Sequence, residues 1–451
     1  MELNKHELAE TKVGKLLFNY ALPAIVATTA SSLYNIIDRI FIGHGVGPMA
    51  ISGLALTFPI MNLAIAFGTL VGAGASAMVS IRMGEQRRVD AIRILGNALT
   101  LNIIIGILFS IFGLIFLDDL LRLFGASNET LPYAKEFMQV ILLGNTISHI
   151  FFGLNNIMRA SGHPTKAMIS ILLTVGINII LAPIFIFVFE WGIKGAAFAT
   201  VISQTIGMTW VLAHFSSRKP YIHFRISGFK LSARIIRDIF AIGLSPFLIY
   251  VLACLISIIM NLQLGKLGGD YAIGACGIIN SIVALIVMII LGLTQGMQPI
   301  VGYNYGAHRM DRVLDTFKLT VLWGTVIAFI GFLITHIFPY QIARAFTDDV
   351  TMIDITVRGM RLNTIVFFLI GFQVVTSNFF QAIGRAKTAI FLSISRQALF
   401  FTPFLFILPA FLGLDGVWLA ASASDFAAVI TTGLVLRYWY KRMGRVKEIK
   451  Y

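Results

Sequence analysis

The stretch 16–42, LLFNYALPAIVATTASSLYNIIDRIFI, contains only two charged residues, Asp38 and Arg39. A helix needs about 20 mostly apolar residues to cross about 30 Å of hydrocarbon, so this stretch is long enough to span a membrane. The whole chain has the same character, because 57% of its 451 residues are hydrophobic and 12% are charged. An ordinary soluble domain is about half apolar and about a quarter charged. The composition therefore excludes a soluble globular protein.

Eleven further apolar runs bring the predicted number of transmembrane helices to twelve. The predicted helices 1 to 12 are 16–42, 50–80, 94–117, 132–158, 167–189, 195–215, 239–264, 272–304, 313–338, 353–380, 388–411 and 416–440. The longest runs predict helices that tilt or extend beyond the bilayer. The segment before Leu16 mixes acidic and basic residues, and no short apolar region with a small-residue cleavage site follows it, so no cleaved signal peptide is expected. The sequence thus predicts an all-α integral membrane protein.

Basic residues are concentrated on one side of the membrane in this arrangement. The chain has 35 Lys and Arg residues against 21 Asp and Glu residues, a net charge of +14. The two tails and the even-numbered loops, together with Asp315, Lys318 and Arg437 at the adjoining helix ends, hold 26 of the basic residues and nine acidic ones. Because cytoplasmic loops carry an excess of Lys and Arg, both termini are predicted to be cytoplasmic. These cations are spread over seven short segments rather than one face, which argues against a nucleic-acid partner.

One constant offset of 222 residues aligns motifs of the two halves. The matching pairs are GEQR at 84–87 with GAHR at 306–309, RLF at 122–124 with RAF at 344–346, and ASG at 160–162 with AIG at 382–384. After a one-residue deletion, Gly192 and Gly195 align with Gly413 and Gly416. Such a match predicts a duplicated unit of six helices. Because six is even, both copies enter the membrane from the same side, so the repeats are parallel and their pseudo-two-fold axis lies along the membrane normal.

The duplication divides the chain into five segments. They are a cytoplasmic N-terminal tail at 1–15, an N-lobe with helices 1 to 6 at 16–215, a cytoplasmic linker at 216–238, a C-lobe with helices 7 to 12 at 239–440, and a cytoplasmic C-terminal tail at 441–451. Transporters made of two six-helix lobes hold their substrate between the lobes. The organisation therefore favours a transporter.

Asp38 is the clearest functional candidate. Insertion of a carboxylate at the centre of a membrane helix costs about 2.5 to 3.5 kcal/mol. A carboxylate that lies deep in the membrane is therefore a candidate for a functional residue. Asp38 lies 15 residues after Pro23, which can bend helix 1 and let polar groups face a wet cavity. There the carboxylate could take a proton or stay ionised beside a bound cation. The alternative is a surface pair of Asp38 with Arg39, but adjacent helical residues point in different directions.

Other polar residues lie at comparable depth. Arg396 and Asp425, in helices 11 and 12, are predicted to pair, either as a fixed tie between the helices or as a coupling or gating element. Asn178 and Thr200, in helices 5 and 6, could join a carboxylate around a cation or could form ordinary interhelical hydrogen bonds. For His149 in helix 4, a buried neutral imidazole with one partner is favoured over a proton relay.

Sequence motifs for nucleotide binding or hydrolysis are absent. There is no G-x-x-x-x-G-K-[ST], no H-E-x-x-H and no G-x-S-x-G at a strand-to-helix turn. ATP is therefore not the predicted energy source, which leaves an ion gradient, and no enzyme activity or resident cofactor is expected. The two cysteines, Cys254 and Cys276, lie inside apolar runs and are predicted to be inert. The 37 Phe and 16 Met residues permit binding of greasy, variably shaped cations.

Several of these stretches together resemble the multidrug and toxic compound extrusion (MATE) family over nearly the whole chain. They are the run 23–43 with LYNIID at 33–38, MRASG at 158–162, NIILAPIFIF at 178–187 followed by GIKGAAFAT at 192–200, and QGMQPIVGYNYG at 295–306. The last is similar to the family's helix 8 signature. The resemblance implies twelve helices in two six-helix lobes and antiport of organic cations or drugs against Na⁺ or H⁺.

The resemblance also implies a cation site in the N-lobe. In the bacterial branch that the chain resembles, this site uses an Asp on helix 1, an Asn and an Asp four residues apart on helix 5, and a Thr on helix 6. Asp38, Asn178 and Thr200 match these positions, but Ala182 stands where the second Asp is often found. A cation would then be held by one anion and neutral oxygens. On helix 7, Asn261 is the polar residue nearest to the repeat counterpart of Asp38.

The predicted protein is a monomeric antiporter of the bacterial inner membrane, with small organic cations and membrane lipid as its partners and Na⁺ or H⁺ as its coupling ion. A flippase of lipid-linked precursors is the nearest alternative. It would need cations along its cavity for a pyrophosphate, and Arg396, Arg358 and Arg361 are the sparse candidates. A membrane-embedded transferase would need clustered His, Asp or metal ligands, which the sequence does not cluster.

Overall fold

The structure is a computed structural model that describes residues 8, 10–46, 48–124, 126, 128–346 and 349–448. Side chains are also outside the description at 35, 36, 39, 40, 43, 44, 48, 49, 51, 52, 270 and 442–448. The described residues form helices and their connections, with no β-strand among them. Most of the predicted N-terminal tail, and the side chains of the tail after 441, therefore lie outside the described part.

The twelve predicted membrane helices are present, which confirms the all-α membrane fold. Their bounds are Val13–Gly45, Pro48–Gly84, Arg88–Ile115, Leu131–Ala160, Pro164–Val188 and Gly192–Ser216 for helices 1 to 6, and Ala233–Gly269, Tyr271–Gly306, Met310–Ile337, Val350–Ala382, Ala386–Leu412 and Leu414–Glu448 for helices 7 to 12. Helix 12 continues into the predicted tail. Two short helices, Leu117–Leu123 and Pro339–Phe346, precede helices 4 and 10.

Helix 10 is not the single run that its apolar sequence predicts. It consists of Val350–Asn363 and a segment Phe367–Ala382, bent by 45° at the break between them. The hydroxyl of Ser422, on helix 12, donates to the carbonyl oxygens of Leu362 and Asn363 at 2.7 and 2.8 Å. A broken helix is tolerated in a membrane where neighbouring side chains satisfy the freed backbone groups. The predicted helix 10 is therefore one span in two helical segments, and the Ser422 hydroxyl satisfies two of the carbonyl groups freed at the break.

The backbone confirms the predicted duplication. Helices 3 and 9, Arg88–Ile115 and Met310–Ile337, begin and end at positions 222 residues apart. Gln86 and His308, also 222 apart, both adopt a positive φ, of 61° and 59°, after helices 2 and 8. Gly162 and Gly384 share a positive φ after helix 4 and helix 10, a conformation that suits glycine because it has no Cβ. The two lobes thus repeat the same chain path with the same turn conformations.

The lobes meet along helices 2 and 8, where two residue pairs bring repeat counterparts into contact. The Gln298 side chain donates from Nε2 to Ser76 Oγ at 3.1 Å, and a Cβ on Gly302 would lie 2.7 Å from the Cβ of Ser80. Both pairs are separated by 222 residues. Residues on a two-fold axis contact their own mates, so the pseudo-two-fold axis passes between helices 2 and 8.

Glycine makes this contact close. A Cβ on Gly84 would lie 1.9 Å from the carbonyl oxygen of Tyr303, and a Cβ on the equivalent Gly306 would lie 2.0 Å from that of Ile81. Only glycine allows the two backbones to approach this closely. The contact lies at the ends of helices 2 and 8 that adjoin basic loops, which are the predicted cytoplasmic ends.

Candidate functional site

Asp38 lies inside the N-lobe. Its side chain is buried, with 8% of the residue exposed. Helix 1 carries it in the half that follows Pro23, and helix 1 is a continuous helix through this proline. The proposed alternative, a surface pair with Arg39, needs an exposed carboxylate, and the side chain of Arg39 lies outside the described residues. Asp38 therefore occupies the kind of buried position that the cation-site prediction requires, while its role stays a prediction.

Three hydroxyl and amide groups form a hydrogen-bonded cluster next to Asp38. The phenol oxygen of Tyr34 lies 2.8 Å from Thr200 Oγ1, and Asn178 Nδ2 donates to both, at 3.4 and 3.1 Å. The Thr200 hydroxyl donates to the carbonyl oxygen of Ala196 at 3.1 Å, which leaves Tyr34 to donate to Thr200. The cluster joins helices 1, 5 and 6. It brings the predicted Asn178 and Thr200 into direct contact.

Tyr34 is the member of this cluster that sequence reasoning did not single out. It lies one helical turn before Asp38, so the two side chains project from the same face of helix 1. Because the Tyr34 phenol belongs to the cluster, this spacing places the Asp38 carboxylate on the side of helix 1 that carries the cluster. The four-residue spacing of Tyr34 and Asp38 was the signal available in the sequence.

Ala182 occupies the position at which the resemblance implied a second acid. It is fully buried one turn after Asn178. Helix 5 then passes through Pro183 into a π-helical turn, Ile184–Val188. Proline lacks a backbone donor, and π-helical turns are frequent at functional sites. The candidate site thus contains the carboxylate of Asp38, and the methyl group of Ala182 lies where a second carboxylate was expected.

Arg396 and Asp425 form the predicted ion pair in the C-lobe. Arg396 Nε lies 2.8 Å from Asp425 Oδ1, the Asp425 side chain is 7% exposed, and the Arg396 side chain is 30% exposed. Arg396 lies at the start of a second π-helical turn, Ser395–Phe401. The contact joins helix 11 to helix 12. The structure confirms the pairing and leaves open which of the two predicted roles it has.

A buried arginine, Arg159, links the two lobes. Sequence reasoning counted Arg159 among the cytoplasmic loop cations, but it is 5% exposed. Its guanidinium donates to the side-chain oxygen of Gln295, on helix 8, and to Asn155 Oδ1 at 3.3 Å. Nothing in the sequence around Arg159 distinguishes it from a loop cation, because its partner belongs to the other lobe.

The segment before helix 1 is also bound to the C-lobe. Arg312, on helix 9, donates to the carbonyl oxygens of Leu8 and Thr11 at 3.2 and 2.7 Å and to Asn304 Oδ1 at 3.1 Å. Asn304 Nδ2 in turn donates to the Leu8 carbonyl at 3.2 Å. These contacts lie on the same side as the contact of Gly84 with helix 8. They bind the segment before helix 1 to the C-lobe on that side.

His149 is buried and has one hydrogen-bonding partner, the carbonyl oxygen of Ala64 at 3.1 Å from Nε2. This contact confirms the predicted buried imidazole with a single partner. Cys254 and Cys276 are both free thiols. Among the described residues, no group of three or more His, Cys, Asp or Glu side chains could hold a metal ion.

The fold and the lobe contact define an integral membrane protein built from two repeated six-helix lobes, the architecture of a class of secondary transporters. The MatE family model matches residues 23–184 and 247–407. This chain therefore belongs to the MatE family.

Individual relatives match over nearly the whole chain. The multidrug export protein MepA of Staphylococcus haemolyticus (strain JCSC1435) is 29% identical over 427 residues, with 94% of each chain covered. A multidrug resistance MATE family transporter of the MOP superfamily, solved in an outward-facing conformation, matches with a TM-score of 0.91 and 26% identity, covering 97% of this chain and 98% of its own. A MOP superfamily transporter from Pyrococcus furiosus Vc1, described with a binding pocket of reversed polarity that suggests a different function, matches with a TM-score of 0.90 and 25% identity, covering 99% and 98%.

Proposed function

We propose that this protein is a secondary active multidrug efflux antiporter of a bacterial inner membrane, which exports lipophilic organic cations in exchange for Na⁺ or H⁺. Export of drugs is supported by the MatE family match and by relatives named multidrug export proteins that cover 94% of the chain. Exchange against an ion is supported by one observation above all. A buried carboxylate, Asp38, lies beside a cluster of hydroxyl and amide groups contributed by three helices of the N-lobe.

The chemistry of this site suits a monovalent cation. Hard cations prefer oxygen ligands, and Asp38 offers a carboxylate while Tyr34 and Thr200 offer hydroxyl oxygens. A proton on Asp38 would neutralise the same charge without further ligands. Because Ala182 supplies no second acid, one positive charge is enough to neutralise the site. The site therefore binds one coupling cation per transport cycle.

The arrangement of the lobes corresponds to one end of an alternating-access cycle. The contact of Gly84 and Gly306 closes the side with the basic loops, which we assign to the cytoplasm. On the opposite half of helices 7 and 8, the polar side chains of Asn261, Asn280 and Ser281 are exposed, as expected for the wall of a wet cavity. We assign this conformation to the outward-facing state, in which substrate leaves and the cation reaches Asp38.

The flippase alternative receives less support from the arginines on which it depends. Arg358 is 71% exposed and pairs with Asp415, and Arg396 is already neutralised by Asp425. A pyrophosphate would have to compete with these carboxylates. The charge balance within both pairs favours an organic cation over an anionic lipid headgroup as the exported solute.

Replacement of Asp38 by Asn tests the proposal. Ethidium or norfloxacin efflux is measured in membrane vesicles with and without an imposed Na⁺ or pH gradient. Asp38→Asn is expected to abolish the ion dependence. The matched control is Asp118→Asn, which removes a carboxylate of the same lobe that is 50% exposed and pairs with Lys135 at 2.8 Å. Wild-type efflux with intact ion dependence in Asp38→Asn would overturn the proposal.

A further inference from the structure

The C-lobe carries a charge pair in the region that corresponds to the N-lobe cation site. Asn178 and Thr200 contact each other between helices 5 and 6, and Arg396 and Asp425 contact each other between helices 11 and 12, which are the repeat counterparts. With the offsets of 222 and, after the deletion, 221, Asn178 corresponds to position 400 and Thr200 to position 421. Arg396 precedes position 400 by four residues and Asp425 follows position 421 by four.

These two displacements point in the same direction. Helices 11 and 12 are antiparallel, so four residues earlier on one and four residues later on the other are both one turn closer to the end of the molecule that is closed by Gly84 and Gly306. The charge pair thus lies one turn deeper than the polar cluster of the N-lobe. The depths of Arg396 and Asp425 match each other, which is why the pair can form.

The residues that correspond to the N-lobe site itself are apolar in the C-lobe. Asp38 corresponds to Met260, which is buried, and Tyr34 corresponds to Ile256. Asn178 and Thr200 correspond to Phe400 and Ala421. The C-lobe therefore has one buried carboxylate in this region, Asp425, and that carboxylate is 2.8 Å from a guanidinium.

We propose that Arg396 is a tethered substitute for a coupling cation, and that Asp425 is a latent cation site which this arginine occupies permanently. The inference rests on the proposed function, in which Asp38 binds an exchangeable cation. An arginine remains charged and cannot leave the protein, so it neutralises Asp425 in every state of the cycle. Transport by the wild-type protein therefore exchanges one cation, through the N-lobe, although the fold is duplicated.

Disruption of the pair would make the Asp425 carboxylate accessible to a cation. The Arg396 side chain is 30% exposed whereas that of Asp425 is 7% exposed, so the guanidinium lies on the accessible side of the carboxylate. Arg396 also begins the π-helical turn Ser395–Phe401, and such turns are common where a helix presents a functional side chain. A neutral side chain at 396 would leave a buried carboxylate that needs a cation, and Na⁺ or H⁺ is then the group that can reach it.

Static-head accumulation in proteoliposomes measures the number of exchanged cations. Ethidium is the substrate, the Na⁺ or pH gradient that drives the wild type is imposed, and the membrane potential is held at zero with K⁺ and valinomycin. At equilibrium the ratio of the ethidium concentrations on the two sides of the membrane equals the ratio of the ion concentrations raised to an exponent. This exponent is the number of cations exchanged per ethidium. A tenfold ion gradient is then expected to give about tenfold accumulation for the wild type and about 100-fold for Arg396→Gln.

Two controls separate a latent cation site from a structural tie. Arg396→Lys keeps a tethered cation and is expected to give about tenfold accumulation, as is Arg396→Gln/Asp425→Asn, in which no charge remains. Equal exponents in Arg396→Gln and the wild type would overturn the inference. An exponent of two in the wild type would also contradict a single exchanged cation, and this measurement does not depend on the folding of Arg396→Gln. Loss of the proposed function itself is recognised separately, by gradient-driven accumulation that persists in Asp38→Asn.

Discussion

Replacement of Gly84 by alanine perturbs the lobe contact at its closest point. The added Cβ would lie 1.9 Å from the carbonyl oxygen of Tyr303 and 2.9 Å from the backbone nitrogen of Ala307. Both neighbours are backbone atoms, in the last turn of helix 8 and just after it, so no side chain can rotate away and the lobes themselves must separate. Overpacking of a close contact costs about 1 to 3 kcal/mol. At about 1.4 kcal/mol per tenfold change, the equilibrium between the closed and open forms of this side shifts by about 5- to 150-fold.

Labelling of a cysteine at position 76 reports that shift. Ser76 is buried at the lobe contact, where it accepts a hydrogen bond from Gln298, so a cysteine there reacts with a membrane-impermeant maleimide only when this side opens. The background carries Cys254→Ala and Cys276→Ala, which removes both native thiols. In inside-out vesicles, Gly84→Ala is expected to raise the labelling rate by the same factor as the equilibrium.

The control variant is Gly433→Ala, because a Cβ on Gly433 meets nothing within 4 Å. It adds the same methyl group to a membrane helix away from the lobe contact, and its labelling rate is expected to equal that of the background. An unchanged labelling rate in Gly84→Ala, with unchanged efflux, would refute the idea that this contact holds the cytoplasmic side closed.

Three further changes have expected outcomes. Tyr34→Phe removes one hydroxyl beside Asp38, so the ion concentration for half-maximal efflux is expected to rise about fivefold, the effect of about 1 kcal/mol of hydrogen bonding, while efflux at saturating ion is retained; an unchanged ion dependence would exclude Tyr34 from the site. Ser422→Ala leaves the carbonyls of Leu362 and Asn363 without their shared donor, so the free energy of unfolding is expected to fall by about 1 to 3 kcal/mol, read as a lower Tm, whereas Ser422→Thr keeps the donor and is expected to retain most of the stability. Arg312→Gln removes the donors that hold the segment at Leu8 to the C-lobe, so maleimide labelling at position 76 is expected to increase, and a decrease would contradict the assigned role of this contact.

Much of the fold follows from the sequence, because a membrane imposes few solutions on an apolar chain. Hydropathy located the twelve helices, and the 222-residue offset located the duplication that the turns at Gln86 and His308 confirm. The break in helix 10 was not predictable in this way, since residues 364–366 are as apolar as their surroundings and the groups that stabilise the break lie on helix 12. Hydropathy measures composition along the chain and carries no information about such a distant partner.

The candidate site was predictable only in part, for a related reason. Asp38, Asp425 and Arg396 stand out because a charge in an apolar run is costly. Tyr34 does not stand out, because a tyrosine in a membrane helix is compatible with core packing, and its polar role emerges from contacts with helices 5 and 6. Arg159 was assigned to the loop cations because it is near a helix end, and its burial depends on Gln295 of the other lobe.

In the proposed exchange, a cation binds at Asp38 and leaves when substrate binds. Ethidium is added to purified protein in detergent, and the Na⁺ or H⁺ released is counted with a sodium-selective electrode and, in weakly buffered medium, a pH indicator. Because coupling between two ligands is reciprocal, exchange through Asp38 requires that binding of the drug lower the affinity for the cation and release it. About one ion released per ethidium bound in the wild type, and none in Asp38→Asn, is the expected result. Equal ion release from the wild type and from Asp38→Asn would contradict exchange through Asp38.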